Sequence, residues 1–148
     1  MNERLRELQE IGQSVWIDSL SRDDIEDGNL QRMIDDGVVG VTSNPTIFQK
    51  ALSESSLYDD QLQEVAAREN DPKEIFWQLA GKDIRDACDV LMPVFEETNR
   101  LDGYVSLEVS PDIAYDTPKT VAEAKRLHEV VDRPNLFVKI PATRPDQG

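Results

Sequence analysis

Four short apolar runs, each set between longer stretches of helical periodicity, organise this chain. An amphipathic opening with Leu5, Leu8 and Ile11 leads into the first run, Ser14-Val15-Trp16-Ile17-Asp18. In the stretch that follows, Ser21 and Asp24 stand at capping-box spacing. Asn29 is placed to cap a helix bearing Leu30, Met33 and Ile34, and Gly37 to end it. The second run is Val38-Val39-Gly40-Val41-Thr42-Ser43-Asn44; Pro45 stops it and opens a helix with Ile47, Phe48, Ala51 and Leu52 on one face. Further helices are predicted from Leu57 to Ala67 and from Asp71-Pro72 through Ile75, Phe76, Leu79, Ile84, Cys88, Leu91 and Phe95. The third run is Gly103 to Val109. Thr117-Pro118 then opens a helix with Val121, Ala124, Leu127 and Val130, and the fourth run spans Asn135 to Thr143.

Alternating strands and helices argue for βαβ units and a parallel sheet. Four such units fit a small open α/β domain and equally about half of an eight-stranded barrel. Side chains alternate along a strand, so each predicted strand has an apolar face for covering helices and a second face that ends in polarity. The polar residues are Asp18, Asn44, Glu108 and Lys139, with Thr42 in step with Asn44 and Ser106 in step with Glu108. All four fall at C-terminal strand ends, where parallel α/β folds place their chemistry.

Lys139 stands alone in its run, Leu136-Phe137-Val138-Lys139-Ile140. An ammonium in an apolar site lowers its cost by shedding the proton, which leaves a nucleophilic amine suited to Schiff-base formation. The competing reading is a strand lysine paired with a carboxylate, or one reaching water from the strand end. Two carboxylates near the amine would serve acid/base steps around an imine, and would also hold the ammonium charged unless burial opposes them.

Composition narrows the classes. In 148 residues, 39% of them hydrophobic, there is enough apolar material for one globular domain. With 30 acidic and 16 basic residues the net charge is −14, which disfavours nucleic-acid and anionic-membrane binding. The single cysteine, Cys88, excludes an internal disulfide and reads as a buried thiol whose acidic neighbours raise its pKa. The single histidine, His128, reads as a solvated helix residue; no Cys/His cluster suggests a metal and no glycine-rich loop a phosphate cradle. Neither a signal segment nor a membrane-spanning run stands out, so the cytoplasm is the expected compartment.

The run Val41-Thr42-Ser43-Asn44-Pro45-Thr46-Ile47-Phe48 resembles the second-strand signature of transaldolases, and Asn135 to Thr143 resembles the strand that carries their Schiff-base lysine. Val15-Trp16-Ile17-Asp18-Ser19-Leu20-Ser21-Arg22 and Val105-Ser106-Leu107-Glu108-Val109 are similar to the first and third strands, in the right order along nearly the whole chain. The likeness is closest to the longer bacterial type. It implies parallel βα units of a (β/α)8 TIM-type barrel, with residues 1–148 as the N-terminal part of that single domain and four predicted strands as about half the barrel. It further implies a cofactor-independent enzyme of the pentose phosphate pathway, a transferase of carbohydrate metabolism. Such an enzyme moves a dihydroxyacetone unit from a ketose phosphate such as sedoheptulose 7-phosphate to glyceraldehyde 3-phosphate. By the resemblance Lys139 forms the imine, Glu108 acts as acid/base through a water, and Asp18 takes and returns the substrate hydroxyl proton. Asn44 holds the three-carbon unit, with Thr42 and Ser106 in support. The family's phosphate grip lies on later strands, so this piece alone is expected to have little or no activity. Two rivals remain: a Schiff-base aldolase acting on fructose 6-phosphate without transfer, and a noncatalytic half-barrel whose open edges pair with a second copy.

Overall fold

A four-stranded, fully parallel sheet in the order β1-β2-β3-β4 forms the centre of the computed structural model, which describes residues 2–43 and 45–144. The strands are β1 (Trp16–Ile17), β2 (Gly40–Thr42), β3 (Tyr104–Glu108) and β4 (Leu136–Lys139). They are shorter than their apolar runs because only part of each run finds a neighbour. Val39 still donates to the Val15 carbonyl and Gly103 to that of Val39, which extends the ladder past the strand ends. The helices are α1 (Glu3–Glu10), α2 (Arg22–Glu26), α3 (Asn29–Asp36), α4 (Pro45–Glu54), α5 (Asp59–Ala66), α6 (Pro72–Glu97) and α7 (Thr117–Val131). The block expected from Leu57 to Ala67 divides into a 3₁₀ turn, Ser56–Tyr58, and α5.

Local chemistry accounts for most boundaries. Ser21 caps α2 by accepting from the Asp24 amide, and its hydroxyl donates back to the Asp24 carboxylate. Gly37, at φ +116°, ends α3 in the left-handed region. Asn29 does not cap α3, contrary to expectation: Gly28 takes the cap position and the Asn29 amide reaches back to Asp24, which already gathers the preceding turn. Asp71 caps α6 with Pro72 at its first position, and Asp116 caps α7.

One face of the sheet is covered by helices. Val41, Val105, Leu107, Val109 and Leu136 pack there against Ala80, Ile84, Ala87, Leu91 and Leu127. Cys88 lies fully buried in this core, where burial first and the neighbouring Asp89 second push its thiol up to about 12.

The other face carries no helix among the described residues. Phe137 stacks on Tyr104 with centroids 3.9 Å apart and lies parallel to Trp16 at 6.4 Å. Phe137 is 48% exposed. Trp16 crosses Gly40, where an added Cβ would fall 2.2 Å from the indole. Gly40→Ala is therefore expected to destabilise the fold by about 1–3 kcal/mol through overpacking, read as a lower urea midpoint with an unchanged slope. An unchanged midpoint would show that Trp16 swings off the sheet freely.

One buried charged cluster joins α2, the Ser56–Tyr58 turn and α6. Arg22 is 3% exposed and Asp83 is fully buried. The Arg22 Nε donates to Asp83 Oδ1 at 2.7 Å, Nη1 to the Leu57 carbonyl at 3.0 Å and Nη2 to Gln61 Oε1 at 2.6 Å. The guanidinium lies 4.2 Å from the Tyr58 ring centre. The Tyr58 hydroxyl donates to Asp83 Oδ2 at 2.7 Å and accepts from the Arg22 amide at 3.0 Å. Burial raises the tyrosine above its usual range, so it remains a donor at any ordinary pH.

Candidate active site

Parallel pairing of β3 with β4 places Glu108 opposite Lys139, and both side chains rise from the open face at the C-terminal strand ends. Lys139 Nζ donates to Glu108 Oε1 at 2.6 Å. Two strands away Asp18 follows directly on β1, and its carboxylate accepts a hydrogen bond from the Thr42 hydroxyl at the end of β2. The same register sets Thr42 beside Ser106, and Phe137 beside Ser106 on its other side. The Ser106 carbonyl accepts both the amide and the hydroxyl of Ser43, at 2.9 and 3.0 Å, which ties the ends of β2 and β3 together. Below these polar groups the rings of Trp16, Tyr104 and Phe137 make an apolar floor.

The fold thus brings Asp18, Thr42, Ser106, Glu108 and Lys139 to one end of one face. Asn44 lies outside the described residues. His128 is exposed near the end of α7, as expected, and takes no part.

Lys139 departs from the sequence reading in one respect. Its side chain is 61% exposed, not buried in an apolar site, because β4 is an edge strand and Phe137 and Lys139 face the uncovered side. The Glu108 hydrogen bond first, its charge second and the Asp18 charge to a smaller extent hold the ammonium above the ordinary lysine range. Its folded pKa being raised, the pair contributes stability fully present below the unfolded lysine value and lost as pH rises through the folded one. The same sign governs reactivity, since an amine reagent sees only the deprotonated fraction. Glu108→Gln is expected to raise the acetylation rate of Lys139 at pH 8 severalfold relative to the 73%-exposed Lys50, measured by peptide mass spectrometry. A fall in that rate would reverse the electrostatic assignment.

The buried Arg22–Asp83–Tyr58 cluster escaped the sequence reading. Its signal was present: Asp83 stands among Ala80, Ile84, Ala87 and Leu91 on the apolar stripe of α6, where an unpaired carboxylate would be costly. Among the described residues no group of three or more His, Cys, Asp or Glu side chains could hold a metal ion, and no helix is long and apolar enough to cross a membrane.

With this geometry in hand, similarity to known proteins is specific. The family model described as Transaldolase/Fructose-6-phosphate aldolase matches residues 15–147. A transaldolase of Mycobacterium bovis is 52% identical over 144 residues, covering 97% of this chain and 39% of the relative. One from Thiobacillus denitrificans is 54% identical over 139 residues, covering 93% and 39%, and one from Acidothermus cellulolyticus is 53% identical over 144 residues, covering 97% and 39%. The chain therefore spans well under half the length of these relatives, and its four parallel strands form part of a barrel-type sheet. It belongs to the transaldolase/fructose-6-phosphate aldolase family.

Proposed function

We propose that this chain carries the nucleophile and both carboxylates of a Schiff-base transaldolase of the pentose phosphate pathway. One observation carries the reading: Lys139 and Glu108 meet at 2.6 Å at the strand ends, with Asp18 and Thr42 paired on the same face. The deprotonated Lys139 amine attacks the ketose carbonyl carbon to give a carbinolamine. Glu108, acting through a water, delivers the proton with which the hydroxyl leaves as water, and the imine forms. Asp18 removes the proton from the hydroxyl two carbons along from the imine carbon, and the bond between that hydroxyl-bearing carbon and the carbon next to the imine breaks. The hydroxyl-bearing carbon leaves as the aldehyde, and the electron pair of the broken bond is held in the three-carbon enamine. The enamine attacks the carbonyl of glyceraldehyde 3-phosphate, Asp18 returns the proton to the new alkoxide, and hydrolysis frees Lys139. Asn44, Thr42 and Ser106 hold the hydroxyls of the three-carbon unit. Sedoheptulose 7-phosphate is the donor assigned, no cofactor takes part, and the cytoplasm is the compartment, which suits a single unpaired, buried cysteine.

Glu108 keeps the resting amine protonated, and the open face leaves bulk water to screen every charge on it. The first slows imine formation and the second weakens the proton steps of carbon–carbon cleavage, so the 148-residue chain alone is assigned slow imine formation and only trace transfer. The test is borohydride reduction in the presence of fructose 6-phosphate, followed by peptide mapping. A sugar or three-carbon adduct on Lys139 and no other lysine is expected, with little consumption of added acceptor aldehyde. Adducts spread evenly over the lysines, or none on Lys139, would overturn the assignment. Transfer at rates typical of enzymes would overturn only the claim of fragment inactivity. The family's second printed activity gives a rival, fructose 6-phosphate cleavage without transfer, recognised by release of the three-carbon ketone when acceptor is omitted.

A further inference from the structure

β1 contributes only two registered pairs, Trp16 with Gly40 and Ile17 with Val41, so its ladder ends before Asp18. Beyond the hydrogen bond from Thr42, the hold on the chain at Asp18 comes from the residues after it. Asp18 and Ser19 are exposed, whereas Leu20 is 1% exposed in the core and Arg22 is 3% exposed in the cluster with Asp83. Arg22 is held through both its side chain and its backbone. Its guanidinium contacts Asp83, Leu57 and Gln61, and its amide reaches the Tyr58 hydroxyl. These partners lie 35 to 61 residues away in sequence, on the Ser56–Tyr58 turn, α5 and α6. The first residue of α2 is thereby pinned to the outer helical layer from three directions. Stability alone does not call for ions at this position, because a well-packed apolar pair commonly serves as well as a buried ion pair. A guanidinium with directed donors gives something an apolar pair lacks, a single permitted geometry.

We propose that Arg22 is a positioning residue for Asp18: its clamp by Asp83, Tyr58 and Gln61 fixes the chain from 18 to 22, so that the carboxylate meets Thr42 and faces Lys139. The proposal rests on the reading of Asp18 as the proton carrier. It makes no new catalytic group of Arg22, which touches nothing on the open face. The carboxylate's position is legible at Lys139, since the Asp18 charge is one of those acting on that ammonium.

The test uses the whole chain and no sugar. Trace acetylation with acetic anhydride at pH 8 is quantified at Lys139 relative to Lys50, with circular dichroism to verify folding. Asp18→Asn is expected to raise Lys139 labelling about threefold by removing one nearby charge. Tyr58→Phe and Gln61→Ala each keep the Arg22–Asp83 pair and loosen one side of the clamp. Each is expected to raise labelling toward the Asp18→Asn level, and to add nothing when combined with Asp18→Asn. A merely structural role would lower thermal stability in both backgrounds and leave the labelling ratio unmoved. Unchanged labelling in the two clamp variants overturns the proposal. So does an equal rise in the Asp18→Asn background, no response to Asp18→Asn itself, or loss of the helical signal in either clamp variant. Because acetylation needs no imine, a failure of borohydride trapping would count against the enzymatic reading while leaving this result to stand or fall separately.

Discussion

Asp83→Leu is expected to lower the free energy of unfolding by about 3–5 kcal/mol, the largest single effect on stability in this fold. The substitution leaves the Arg22 guanidinium 3% exposed with no carboxylate beside it, and removes the acceptor of the Tyr58 hydroxyl in the same stroke. Against a total of about 5–15 kcal/mol for an ordinary domain, the loss would leave a large unfolded fraction at modest temperature. The magnitude comes from stranding a buried charge and not from any great net worth of the pair. The double variant Arg22→Met/Asp83→Leu, which removes both charges and keeps the volume, should accordingly recover most of the lost stability. Urea unfolding followed by circular dichroism measures both. A single variant within about 1 kcal/mol of the unsubstituted chain would mean that water reaches Arg22 and that the cluster is not sealed.

That cluster marks the limit of what periodicity conveys. Strand number, parallel direction and helix spacing were legible because each rests on contacts repeated along the chain: Val41, Val105, Leu107 and Leu136 alternate into one core, and Ile84, Cys88 and Leu91 recur at helical spacing. Caps at Ser21 and Asp71 were legible because the partners lie within a few residues. Asn29 misled for the opposite reason, since a side chain able to cap can also reach backward, and Asp24 lay within its range. Arg22 and Asp83 stand 61 residues apart, and no local rule joins them. The gathering of Asp18, Glu108 and Lys139 at one end could be read from parity together with their places at the C-terminal ends of their runs. The exposure of Lys139 could not, because alternation shows which face a residue takes but not whether that face is covered.

The exposure alters the chemical argument. A buried lysine would activate itself by losing its proton; here Glu108 and Asp18 oppose that loss, and the open face does nothing to counter them. The carboxylates are thus suited to the proton steps of imine chemistry while slowing its first step, and covering the open face is the physical change that would shift the balance. The aromatic floor of Trp16, Tyr104 and Phe137 fits such a cover, with Phe137 half-exposed beneath the polar groups.

Lys139→Met is expected to abolish the borohydride-trapped adduct while leaving the fold intact. The lost ion pair is 61% exposed on the lysine side and 31% on the glutamate side, so its contribution to stability is small once solvent screening is counted. Methionine keeps an unbranched apolar side chain of nearly the same length and removes the amine. None of the other lysines offers a substitute. Lys50, Lys82 and Lys119 pair with acids a turn away on helices, Lys73 lies between Asp112 and Glu123 outside the sheet face, and Lys125 is exposed on α7. Reduced adducts in the variant, mapped by peptide mass spectrometry at the rate found in the unsubstituted chain, would mean that an incidental surface amine had been labelled. Complete loss, together with an unchanged urea midpoint, would place the chemistry on one atom, Nζ of Lys139. Glu108→Gln then separates the two roles of the carboxylate. It frees more amine and so hastens the first attack. It also removes the acid that expels water, so the trapped imine should accumulate more slowly even as acetylation of the same lysine speeds up. A variant in which both rates rise together would leave Glu108 as an electrostatic brake with no acid/base part.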